Sequence, residues 1–110
     1  MNTKITYQYR DSQNYKKWEE VVIEGQISFD AISPFLYDKE FFIPSVVGLE
    51  DLQKMPFREY DHVWHEILAV TDTDKSPTCK VIAKEIVSSF ESASSASWRQ
   101  SEVFERKGLL

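Results

Sequence analysis

Both histidines of the 110-residue chain fall within six consecutive residues, Asp61-His62-Val63-Trp64-His65-Glu66, between two carboxylates and around a tryptophan. Imidazoles and carboxylates together supply two chemistries. One is metal ligation, in which their lone pairs hold zinc or a similar ion. The other is acid–base catalysis, in which a carboxylate fixes the tautomer of a histidine that titrates near neutral pH. The pattern of residues 62–70 predicts a strand, and side chains alternate faces along a strand. His62, Trp64, Glu66, Leu68 and Val70 then share one face, and Asp61, Val63, His65, Ile67 and Ala69 the other. Imidazoles on opposite faces cannot close on one ion. A helix would instead pair His62 with Glu66 and Asp61 with His65. Even so, the order His-Val-Trp-His-Glu is not the His-Glu-x-x-His of zinc peptidases, and the chain has no third histidine. No metal and no cofactor are expected. Acid–base work needs only one imidazole, so His62, His65 and Glu66 are the candidate catalytic residues. The structural expectation, which is preferred, starts the strand with a solvated His62 and gives His65 a half-buried hydrogen bond.

Other reactive arrangements are thin. No Gly-x-Ser-x-Gly elbow accompanies the serines, and three glycines do not make a phosphate-cradling loop. Cys79 precedes an expected helix, whose N-terminus could activate a thiol, but a tolerated or buried thiol is the simpler reading. A single cysteine also rules out an internal disulfide and a Cys-rich zinc site. Tyr7, Tyr9, Arg10, Tyr15, Lys16, Lys17 and Trp18 mix aromatics with cations, as single-strand nucleic-acid binders and small RNase toxins do. Four bases are few for that role, and strand aromatics more often serve as core or cross-strand pairs.

The net charge of −5 is unevenly spread. Residues 1–18 carry four bases against Asp11, whereas residues 19–74 carry thirteen acids against Lys39, Lys54 and Arg58. Phosphate binding draws on concentrated Lys and Arg, so direct nucleic-acid binding is not expected. An acidic middle with Glu19, Glu20 and Glu24 suits a basic protein instead, one whose groove normally holds nucleic acid. Keeping a small domain soluble is the plainer use of such acids. No apolar run is long enough for a membrane span and no signal peptide is visible, so the cytoplasm is the expected location.

The elements that must position these residues follow from periodicity. Ile5, Tyr7 and Tyr9 alternate with Lys4, Thr6 and Gln8, which predicts a strand. A polar turn at residues 10–14 and a β-branched run at residues 18–24 complete a hairpin. Ser28 can cap a helix starting at Phe29, although Pro34 should shorten or break it. Phe41-Phe42-Ile43-Pro44 reads as a short strand or core-facing turn, and residues 48–53 as one helical turn. Residues 71–77 are loop-like in composition. Ile82, Ala83, Ile86, Val87, Phe90 and Ala93 form the stripe of an amphipathic helix that should fray near Ala93 among serines. Residues 98–110 are expected as a loose or helical tail. With 42% hydrophobic and 14% aromatic residues the chain suits a single domain spanning 1–110. The expected fold class is α+β: a small antiparallel sheet of about three to four strands with two or three helices on one face, in the order ββα(β)βα.

The combination Tyr9-Arg10-Asp11, Asn14-Tyr15-Lys16-Lys17-Trp18, Glu24-Gly25, Phe42-Ile43-Pro44, Val47-Gly48-Leu49 and Asp61-His62-Val63-Trp64-His65-Glu66 resembles a family of short uncharacterised bacterial proteins. It spans most of residues 4–98. The resemblance implies no activity and no catalytic residues, and residues 88–97 and the tail depart from the family pattern.

Three functions follow as expectations. The first is a small acidic cytoplasmic protein in a regulatory or adaptor role, acting without catalysis on a protein partner, with a homodimer among the partner classes. The second is a phage or mobile-element inhibitor, of the anti-CRISPR or anti-defence type, that mimics nucleic acid. The third is a small hydrolase or RNase-like enzyme using His62 or His65. Arg10, Tyr15, Lys17, Glu19, Glu20, Glu24 and Trp64 are the candidate binding residues, and Arg10, Tyr15, Lys17, His62, Trp64, His65 and Glu66 are the candidates for any functional surface.

Overall fold

The computed structural model describes residues 1–11, 13, 16–53 and 62–99. Tyr15, Asp61 and residues 100–110, named above, lie outside that set. Four strands, β1 (Asn2–Arg10), β2 (Lys16–Ile23), β3 (Phe41–Phe42) and β4 (His65–Thr73), form one sheet in the order β2-β1-β4-β3. Each neighbouring pair is antiparallel, so the chain's first strand is central. Its alternation is the expected one: Thr3, Ile5, Tyr7 and Tyr9 are buried, and the residues between them are half-buried. The packed face carries the core, in which Ile5, Tyr7, Ile23 and Phe42 meet Ile86, Phe90 and Ala93 of the helix α1 (Ala83–Ser95).

The α+β class and the antiparallel sheet stand, but α1 is the one α-helix among the described residues, where two or three were expected. The helix expected from Phe29 is instead two 3-10 turns, Phe29–Ala31 and Ser33–Phe35. Pro34 explains the break, since it offers no N–H to continue an α-helical ladder. The helical turn expected at residues 48–53 does not form; a 3-10 turn, Pro44–Val47, lies just before it instead and ends at left-handed Gly48. A Cβ on Gly48 would lie 2.8 Å from Val81 Cγ2, so glycine serves both the backbone and the packing there.

β4 also departs from expectation. It begins three residues late and continues to Thr73, because Asn2, Thr3 and Lys4 pair with Thr73, Asp72 and Thr71. The register shifts between Thr6 and Tyr7: Thr6 opposes Ala69 and Tyr7 opposes Ile67, leaving Leu68 as an extra residue. Such a bulge changes which side chains face the core. Val70, opposite buried Ile5, thus packs on the same side as Ile67 instead of with Glu66.

α1 has no side-chain cap at its start. The Glu24 carbonyl beyond β2 accepts the Ala83 N–H at 2.7 Å, so the sheet does the capping. At the other end Ser97 and Trp98 are left-handed. The reversal folds Trp98 onto Phe90, edge to face at 5.4 Å, and its indole N–H donates to the Phe35 carbonyl at 3.1 Å. Residue 98, expected in the tail, is therefore a core residue.

Truncating Trp98 to Ala should cost about 3–5 kcal/mol of stability. Trp18→Ala, at a position 62% exposed, should change it by less than about 0.5 kcal/mol. Urea denaturation of the two variants measures both.

Candidate functional site

β1–β4 pairing brings the end of β1 to the segment that holds both histidines. His62 and Trp64 precede β4 and are not part of it. The His62 ring lies 5.1 Å from Tyr9, and the His65 ring lies 5.2 Å from the same tyrosine. The two rings share a neighbour but present their nitrogens to different backbone groups.

His62 Nδ1 accepts the Trp64 N–H at 3.0 Å, and Nε2 lies 2.7 Å from the Arg10 carbonyl, to which it donates. That pattern assigns a neutral ring with its proton on Nε2. It also explains the late start of β4, because the Trp64 N–H is turned onto the preceding imidazole instead of into the sheet. His65 carries the opposite tautomer. Its Nε2 accepts the Leu52 N–H at 3.1 Å, and its Nδ1–H donates to the Val63 carbonyl at 3.1 Å. The ring is fully buried among Tyr7, Tyr9 and Phe42. An Asp51 carboxylate oxygen stands 3.5 Å from Nε2 and also accepts the Gln53 N–H at 2.9 Å. With the Leu52 N–H pointing at Nε2, the His65–Asp51 contact lies beside a neutral ring.

All four ring nitrogens are thus occupied by main-chain groups. An imidazole acts as a base or ligand through a nitrogen lone pair, and here each lone pair already accepts a backbone N–H. His62 is half-buried and His65 wholly buried, so the expected solvated His62 and half-buried His65 are each one step further inside.

The loop that His65 holds is pinned a second time. The Tyr7 hydroxyl donates to the Glu50 carbonyl at 2.7 Å. Burial, and then the charges of Glu50 and Glu19, push the Tyr7 phenol well above its ordinary value.

The outward side of this end carries a different set. Arg10 Nη2 and Glu66 Oε1 form an ion pair at 3.1 Å. Trp64 stacks on Tyr37 with ring centroids 4.3 Å apart and planes 12° from parallel. Tyr37 is held there by a tight turn: the Glu40 N–H donates to the Tyr37 carbonyl, and Asp38 and Lys39 both have positive φ. Phe41, paired with Tyr37 across the turn, opposes Glu66 on β4. The fold therefore gathers Arg10, His62, Trp64 and Glu66 and adds Tyr37, which sequence reasoning missed. No residue pattern announced it, because Asp38-Lys39 makes the turn without the usual glycine.

The remaining candidates sit elsewhere. Lys17 opposes Tyr9 and Glu19 opposes Tyr7, so both project on the packed side of the sheet, beyond the reach of the core, and are exposed. Glu20 projects on the other face and meets Lys4 at 3.5 Å. Glu24 lines a groove of about 580 Å³ between residues 24–27 and the start of α1, which contains neither histidine. Glu19, Glu20 and Glu24 do not form one stripe. No family model, curated protein or solved structure matches the chain. The resemblance drawn above therefore rests on its motifs alone.

Replacing His65 with Ala strands the buried Leu52 N–H and Val63 carbonyl and opens a cavity, so a loss of about 3–5 kcal/mol is expected. His62→Ala should lose about 1 kcal/mol, since water can reach its partners. Thermal and urea melts separate the two.

The Tyr7 shift carries its own pH signature. A raised phenol favours the neutral form in the fold, so its stabilisation is complete below the ordinary tyrosine value near 10 and is lost as pH rises above it. Tyr7→Phe should cost about 1 kcal/mol at pH 7 and show a shallower loss of stability above pH 10. Melting temperatures across that pH range test it.

Proposed function

We propose that the chain is a small non-catalytic binding protein of the cytoplasm, in a regulatory or adaptor role, that holds a protein partner on the Tyr37–Trp64 plate. The observation that carries this reading is the plate itself. Tyr37 is 42% exposed and Trp64 half-buried, and the two present one flat aromatic surface at the sheet end that also carries the Arg10–Glu66 pair. Tyr, Trp and Arg are the residue types that dominate protein interfaces, because a large rigid ring buries area at little entropic cost. The commitment of every imidazole nitrogen to the backbone speaks against the enzyme reading. The pairing of Glu20 with Lys4 and Glu66 with Arg10 speaks against a field of uncompensated acids.

The test is capture of partners from extracts of the source cell on immobilised protein, at low and high salt. A partner held by aromatic contact should survive high salt and weaken roughly tenfold, about 1–2 kcal/mol, with Tyr37→Ala or Trp64→Ala. Capture that vanishes at high salt while both variants bind normally would overturn the reading in favour of acidic mimicry.

A further inference from the structure

We infer that two copies of this chain pair through the free edge of β2, antiparallel about a two-fold axis at Trp18. This does not rest on the aromatic plate, which lies toward the β3 edge, at the other side of the sheet.

β2 is an outer strand, and its outer edge divides into two parts. At its C-terminal end the edge is taken. The Val22 N–H donates to Thr78 Oγ1 at 2.9 Å, the Val22 carbonyl accepts the Thr78 N–H at 2.8 Å, and Glu24 bridges Ile82. Over residues 16–20 no described strand pairs with that edge. An open edge is a template for another strand.

The Val22 bonds also fix which backbone groups face outward. Both its N–H and its carbonyl point away from β1, and backbone direction alternates along a strand, so Glu20, Trp18 and Lys16 point outward as well. The Glu20 N–H agrees, since it turns to its neighbour's Glu19 Oε1 at 3.1 Å instead of to β1. A two-fold axis at Trp18 sets Trp18 against Trp18 and Lys16 against Glu20 of the second copy. All of these are outward-facing residues, as the closely bonded pairs of an antiparallel ladder require. An axis at Lys17 or Glu19 keeps that parity but sets Lys17 against Lys17, or Glu19 against Glu19, of the second copy, which like charges disfavour.

The side chains choose the same register. Lys16-Lys17-Trp18-Glu19-Glu20 is a charge palindrome about its tryptophan. Antiparallel pairing about that residue sets Lys16 against Glu20 and Lys17 against Glu19, and then both again by symmetry. Opposite charges directly across a ladder stabilise and like charges destabilise. The Trp18 rings meet at the axis on the open face, where Trp18 is 62% exposed. The Glu19 carboxylate, now holding the Glu20 N–H, is released to Lys17 of the partner copy as that N–H enters the ladder. The product is one continuous sheet, β3-β4-β1-β2-β2-β1-β4-β3, with both α1 helices on the same side.

A five-residue ladder is a small contact, so the dimer should be reversible. Sedimentation or light scattering between about 1 and 500 μM spans the weak class of interfaces. Over that range the apparent mass of the wild-type chain should climb from its 12.9 kDa toward twice that value. Lys17→Glu alone and Glu19→Lys alone each put like charges opposite one another, and each should stay monomeric. An equimolar mixture of the two should dimerise, and so should the double variant Lys17→Glu/Glu19→Lys, whose palindrome is inverted but complete. Matching circular dichroism melts establish that every variant is folded. A wild-type chain monomeric throughout, single variants that dimerise like wild type, or a mixture and double variant that stay monomeric would each overturn the inference.

Discussion

The imidazole of His65 is the constraint on which the rest of this fold depends. It lies wholly inside the core and joins the Leu52 N–H to the Val63 carbonyl, two main-chain groups that have no strand partner. A buried backbone group without a partner costs about as much as several methylenes lost from the core, so a polar ring inside a small core is stabilising only because both its nitrogens are used. Through that ring the loop after Gly48 is fastened to the start of β4, and the Tyr7 hydroxyl fastens it again at Glu50. Phe42, Tyr7 and Tyr9 then pack around the imidazole and close the end of the sheet. The same hydrogen bonds that make His65 a good structural residue deny it the lone pair a catalyst would need.

Much of the architecture was legible from periodicity. The alternation at residues 4–9 and the stripe from Ile82 to Ala93 each describe a surface half in the core, and burial decides such elements directly. What could not be read depends on partners distant in sequence. The extra residue at Leu68 follows from the register against β1. The late start of β4 follows from a histidine ring accepting an N–H two residues on. Trp98 enters the core because two successive left-handed residues reverse the chain, a conformation no side-chain pattern announces.

The candidate site shows the same division. Arg10 and Glu66 are 56 positions apart in sequence and meet only because β1 pairs with β4. Tyr37 reaches Trp64 through a turn closed by Asp38 and Lys39, residues whose composition gives little warning of positive φ. Charge counting over residues 19–74 found an acidic block, whereas the fold puts Glu19 and Glu20 on opposite sheet faces and pairs Glu20 and Glu66 with bases from β1. Net charge per segment describes solubility and the far field, and the local surface is set by which side chains the sheet places together.

The central place of β1 bears on how the protein is made. As the ribosome releases the chain, β1 and β2 can join as soon as residue 23 emerges, since their contacts are local. The other flank of β1 waits for Thr73, the partner of Asn2, and α1 waits longer still for the Glu24 carbonyl to be held at its start. Until then the nascent hairpin offers an unpaired β1 edge, and an uncovered face carrying Ile5, Tyr7 and Tyr9, to whatever lies nearby. A central strand made before both of its neighbours keeps one edge open until the residues that pair with it, up to Thr73, have been added.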